Sequence, residues 1–353
     1  MTDQGVPRAF IVLVGAAGAV VTLFGIREVA SIVGPIMLAL VLVIAVSPVR
    51  SRLERAGAPG WIQVAVPFLI VLLVLLAMVA ILSLSTGQLA ALLPSYANEF
   101  DELVDESHHW LTSLGASNDV INKAIQSFDP GKLIGLAQGL VSGVVGVFSS
   151  IFLIVVLLLA MCLDAPATRR ILASGSARRP DLVEALATFA RKTRRYLLVS
   201  TAFGLVCAAL DVAALYLLSV PLPLLWGVLA LITNYIPNIG FIMGLIPPAL
   251  LALLDGGVKQ MLLVIAAYVA INVVIQSFIQ PKFLGDAVGL STTMTFLSLI
   301  VWAFVLGPLG ALLAIPLSLL ARALLVDSDP TAKWAAALIS GEAPKEAQAT
   351  GKT

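Results

Sequence analysis

Apolar residues run along most of this chain in blocks of about 18 to 24, with polar and charged clusters between them. Six blocks, near 9–26, 29–48, 61–83, 141–163, 197–220 and 258–280, are long enough to cross a hydrocarbon core of roughly 30 Å as α-helices. Two further stretches depart from that pattern. From 222 to 254, two apolar runs of about 13 to 15 residues, each roughly 20 Å long as a helix, flank Asn234-Tyr235-Ile236-Pro237-Asn238-Ile239-Gly240. From 291 to 325, a run breaks at Gly307-Pro308-Leu309-Gly310 and resumes through Pro316. Backbone that leaves a helix at membrane depth has to be buried in protein or line a wet cavity, because lipid offers no hydrogen-bond partners. The pattern predicts an all-α polytopic membrane protein with six full spans and two opposed re-entrant helical hairpins, equivalently seven or eight transmembrane segments. A Pro-kinked span, or two full spans with a tight turn, is the other way to fold each interrupted stretch.

The polar clusters orient the spans. Arg50, Arg52 and Arg55 follow the second span, and Arg169, Arg170, Arg178, Arg179, Arg191, Lys192, Arg194 and Arg195 follow the fourth. The positive-inside bias makes those loops cytoplasmic. The segment between them carries Glu99, Asp101, Glu102, Asp105, Glu106, Asp119 and Asp129 against Lys123 and Lys132, which suits the opposite face. Both termini are then cytoplasmic, and the two hairpins enter from opposite sides. The expected organisation is three spans in 1–83, an extracytoplasmic amphipathic helical segment in 84–140, and a fourth span in 141–163. A basic linker with an interfacial helix in 164–196, a transport core in 197–326 and a cytoplasmic tail in 327–353 follow.

Composition removes the soluble alternative: 60% hydrophobic residues, 12% charged residues and a mean hydropathy of +1.04 are those of a membrane protein. The first block has no small-residue cleavage site after Gly25-Ile26-Arg27-Glu28 and reads as an anchor rather than a signal peptide. Cys162 and Cys207 stand alone in apolar runs, a spacing that suits small core or lipid-facing residues rather than a disulfide framework.

Candidate chemistry is confined to a few polar groups inside the apolar blocks. Asn272, Gln276 and Gln280 stand at i, i+4 and i+8 on one helical face, either as interhelical hydrogen-bond glue or as the lining of a pathway. Asp211 is the carboxylate well inside a span, a costly placement that makes it a coupling candidate unless it lies near the interface. The hairpin tips add Asn234, Pro237, Asn238 and Gly240, and Gly307, Pro308 and Gly310, with Thr292 and Thr293 at the start of the second hairpin. His108 and His109 sit among acidic residues as part of a solvated surface, and no metal or other cofactor is expected. Phosphate-binding loops and a paired nucleophile and base are missing from the sequence, so an enzyme is not expected. Broken helices beside polar stripes are how transporters build solute sites. The rival of a different class is a membrane scaffold or sensor.

The run from Asn234 to Gly240, then Gln280-Pro281-Lys282-Phe283-Leu284-Gly285, Gly289-Leu290-Ser291 and the stretch from Phe304 to Leu317 resembles the AI-2E family of bacterial transporters. The resemblance implies a multi-pass inner-membrane transporter and a homo-oligomer, in a family where some members look like autoinducer-2 exporters. With the interrupted hairpins, the expected function is export of a small polar solute, autoinducer-2 or a related metabolite, by alternating access with moving re-entrant hairpins. A sodium/proton antiporter is the alternative within the family. The partners implied are the solute, the lipid bilayer and further copies of the chain, with no nucleic acid. Family members often carry a carboxylate before the proline that matches Pro281. Gln280 stands there in this chain, which favours neutral or facilitated cargo.

Overall fold

A computed structural model of the chain describes residues 8–92, 96, 130–237, 239–280, 289–329, 332, 336 and 339–340; at 8, 9, 11, 12, 130–150 and 277 it describes the backbone alone. The described residues form an all-α polytopic membrane protein. In chain order the helices are α1 (Arg8–Glu28), α2 (Ala30–Arg55), α3 (Gly60–Leu92), α4 (Pro130–Gly175) and α5 (Pro180–Leu217). Then come α6 (Pro223–Thr233), α7 (Gly240–Asn272), α8 (Thr292–Leu312) and α9 (Ala314–Arg322). Wide π turns extend α7 over Val273–Ile279 and α9 over Ala323–Asp327.

Among the described residues six helices are long and apolar enough to cross a membrane: Ala30–Arg55, Gly60–Leu92, Ile151–Gly175, Pro180–Leu217, Gly240–Gln276 and Thr292–Leu312. α6, with 11 residues, is too short, as its sequence predicts. One difference from the sequence reading concerns α5. The expected interfacial helix before 197 and the span after it are a single 38-residue helix. The physical reason is local: Pro180 sits at the helix start with Asp181 in the first turn, and no proline follows before Leu217 to break the ladder. Most of the acidic segment 84–140, including His108 and His109, lies outside the described residues.

The chain divides into two compact units, each discontinuous in sequence. One comprises Met1–Pro48, Val156–Arg194 and Asp286–Thr353; the other comprises Val49–Val155 and Arg195–Gly285.

Both interrupted stretches fold as helical hairpins, one in each unit. In the first, α6 turns after Thr233 into α7, which itself breaks at Gly256 and Gly257, where Gly257 has φ 71°. A side chain at Gly240 would collide with the carbonyl of Thr233, so the return of the chain requires glycine there. The second hairpin breaks at Gly307, with φ 64°, and its arms are joined by a hydrogen bond from Trp302 Nε1 to Ser318 Oγ at 2.9 Å. Gly310 stands to the carbonyl of Trp302 as Gly240 stands to that of Thr233. Within the same unit the tip of the second hairpin is level with the α1–α2 corner. Phe24 meets Phe304 edge to face with ring centroids 5.7 Å apart, the Arg27 guanidinium lies 4.2 Å from the Phe304 centroid, and Leu309 packs against Gly34.

The other unit is built around the first hairpin. Leu225 and Trp226 of α6, Leu245, Ala249 and Val264 of α7 and Leu215 of α5 form its apolar cluster, with Leu89 of α3 completing it. Trp226 donates its indole N–H to the carbonyl of Pro221, which satisfies the one polar atom of a side chain that is 2% exposed. Gln260 donates to the carbonyl of Leu218 at 2.6 Å and Tyr96 donates to Asp255 Oδ1 at 2.9 Å, strapping the open end of this hairpin.

Candidate solute site in the first hairpin

A polar face runs along α5. Tyr196, Ser200, Gly204, Cys207 and Asp211 recur at three- and four-residue spacing, which places them in one row on a helix. A second row runs along α7, after its break at Gly256 and Gly257, and ends at the hairpin tip: Tyr268, Asn272 and Gln276, each four residues after the last. The tip of the first hairpin lies between the two rows.

Asn234 is the junction. Its amide nitrogen donates to the carbonyl of Ser200 on α5 at 3.1 Å, and its amide oxygen accepts from Gln276 at 3.0 Å. Gln276 also donates to Asn272 Oδ1 at 2.7 Å, and Asn272 donates back to the carbonyl of Tyr268 at 2.8 Å. The stripe read from the sequence is therefore an amide relay that ties α7 to the tip and the tip to α5.

Above this relay lies a cavity lined by Asp211, Cys207, Tyr268, Asn272, Gln276 and Asn234, with Ala230 and Phe241 as its apolar lining. It has about 10 Å³ open to the centre of a water molecule, room for one water. Asp211 and Tyr268 are each 1% exposed, and among the described residues Asp211 Oδ1 and the Tyr268 hydroxyl have no hydrogen-bond partner. Buried polar atoms without partners are uncommon, and two facing one cavity mark it as a place where water or a solute supplies the missing bonds. Asp211 is thus enclosed by protein rather than facing lipid or water.

The other sequence candidates are placed as follows. Pro237 sits in the tip and Gly240 at the close approach of the two arms; Asn238 lies outside the described residues. Gln280 does not line the cavity. The π turn at Val273–Ile279 widens the helix by a residue, so the i+4 step from Gln276 no longer keeps to the same face. Thr292 and Thr293 are exposed in the first turn of α8, which Ser291 caps by accepting from the Met294 N–H at 3.3 Å. Gly307, Pro308 and Gly310 form the tip of the second hairpin, which belongs to the other unit. Sequence reasoning missed Tyr268, Tyr196, Thr201 and Tyr235. Tyr268 was recoverable, because it stands one turn before Asn272 on the same face.

A family model for AI-2E family transporters matches residues 10–327. The AI-2 transport protein TqsA of Escherichia coli K12 is 31% identical over 303 residues, covering 86% of this chain and 88% of that protein. YhhT of the same organism is 28% identical over 321 residues, 90% of each chain, and a homologue from Haemophilus influenzae is 28% identical over 331 residues, 92% of this chain and 95% of its own.

Proposed function

This chain belongs to the AI-2E family of transporters, and on that premise we propose that it is a secondary transporter whose solute passes through the cavity between Asp211 and Asn234. One observation carries the proposal: a buried group of carboxyl, phenol and amide side chains faces a common space inside an otherwise apolar bundle. An Asp at the centre of a membrane helix is unfavourable by about 3 kcal/mol, so placing one here needs a compensating role.

With room for a single water, the cavity belongs to a closed state, and passage of any larger solute requires the hairpin to move. That supports alternating access with the first hairpin, re-entrant from the acidic side, as a moving part. The second hairpin, with Gly307, Pro308 and Gly310, is proposed as its counterpart. Asp211 is the coupling candidate, since its carboxyl is the ionisable acid on the cavity and has a free acceptor oxygen. Cargo in the class of AI-2 follows the name of TqsA, an AI-2 transport protein, and outward direction follows the resemblance stated from the sequence. Placement in a bacterial inner membrane with cytoplasmic termini follows the loop charges, and a homo-oligomeric state follows the family resemblance. An ion antiporter is the second reading, favoured by the same unpartnered carboxyl.

The test compares metabolites inside and outside cells with and without the protein, followed by flux of the best candidate into liposomes holding the purified chain. Saturable flux that falls in Gln276→Leu supports the proposal. Protein that captures a partner but moves no solute and no monovalent cation would make it a scaffold.

A further inference from the structure

We infer that Tyr235, held by Tyr196 and Thr201, is the gate that shuts the cavity on the side of the basic loop. The inference rests on the cavity as the transport route and adds the element that opens it. Tyr235 follows Asn234 in the hairpin tip, and two groups of α5 hold it. Tyr196 donates its hydroxyl to the Tyr235 carbonyl at 2.9 Å, and the Tyr235 hydroxyl shares a 2.6 Å hydrogen bond with Thr201 Oγ1. One residue's backbone and side chain are thus both pinned, by groups five residues apart on a single helix.

Position along α5 gives the gate its side. Arg191, Lys192, Arg194 and Arg195 immediately precede Tyr196, so the latch lies at the basic end of the span. Asp211 lies ten residues beyond Thr201, about 15 Å further along the helix. In between, Asn234 fits against Gly204, where a side chain would press on its amide. Going from the basic end, the order is latch, Asn234, cavity, and then the apolar cluster of Leu215, Leu225, Trp226 and Val264. The two ends of the cavity are closed by different chemistry. An apolar cluster seals one by packing; a few hydrogen bonds to one tip residue seal the other. Intramembrane hydrogen bonds are individually weak, so the latch is the end that opens at small cost.

Cys207 lines the cavity and reports its access directly. In a Cys162→Ala background, membrane vesicles of each orientation are treated with the impermeant cationic probe methanethiosulfonate ethyltrimethylammonium, and the rate of Cys207 modification is measured. Wild-type protein should react slowly. Applied from the basic face, the probe should react about threefold faster with Thr201→Val or with Tyr196→Phe, and roughly eightfold faster with the pair, the factors expected for losing one or two average intramembrane hydrogen bonds. Thr201→Val exchanges a hydroxyl for a methyl of the same shape and keeps the test usable if Tyr196→Phe does not fold. Unchanged rates in the variants, or acceleration only from the opposite face, would overturn the gate. Faster labelling without any change in solute flux supports the gate and counts against the cavity as the route. Unaltered labelling alongside altered flux in Gln276→Leu does the reverse.

Discussion

The side-chain amide of Gln276 donates to Asn234 across 3.0 Å, so the polar stripe of α7 is fastened to the tip of the first hairpin. The bonds that hold the tip also floor the cavity proposed as the solute route, so holding the tip and lining a route are not exclusive roles for these residues.

Gln276→Leu removes donors to Asn234 and to Asn272. At an average of about 0.6 kcal/mol for each intramembrane hydrogen bond, the loss is about 1.2 kcal/mol, a small lowering of the thermal midpoint. Flux against cargo concentration should change far more, because the cavity loses its floor. A fall in midpoint with an unchanged flux curve would leave Gln276 as glue alone.

Asp211→Leu separates stability from function. The substitution replaces a buried carboxyl, one oxygen of which has no partner among the described residues, with a group that membranes favour, so the thermal midpoint is expected to hold or rise. Flux should fall, the trade expected at a site kept for function. If flux survives, Asp211 carries no coupling role.

Gly240→Val and Gly310→Val place a branched side chain against the carbonyls of Thr233 and Trp302. Each clash is with backbone, which cannot swing aside, and overpacking of this kind costs about 1–3 kcal/mol. The arms of the hairpin should splay, and transport per molecule should drop more than protein level, measured by quantitative blot beside flux. Equal losses of both would assign these glycines to folding.

Sidedness is checked with single cysteines. One placed at Asp119 should react with an impermeant maleimide on intact cells, and one at Arg178 only after permeabilisation. Reaction of both from the same side would overturn the span count.

Much of the architecture was legible because a bilayer imposes strong rules on sequence. An apolar run either can or cannot cross about 30 Å of hydrocarbon, and a break at Pro237 and Gly240 or at Gly307 and Pro308 announces itself by chain chemistry alone. The interior position of Asn272 and Gln276 followed from spacing on one helix, and the departure of Gln280 did not, because the π turn that rotates it leaves no mark in the apolar pattern. Sequence alone thus fixes the membrane class, the two places where the apolar pattern breaks and part of the polar set beside them. Partnership was decided by tertiary structure. That Asn234 reaches Ser200 and Gln276, that Asp211 faces Tyr268, and that Tyr235 is held by Tyr196 and Thr201 depend on which face of α5 meets the hairpin. Contacts between residues tens of positions apart arise from packing between helices, and periodicity within a single helix carries no information about it.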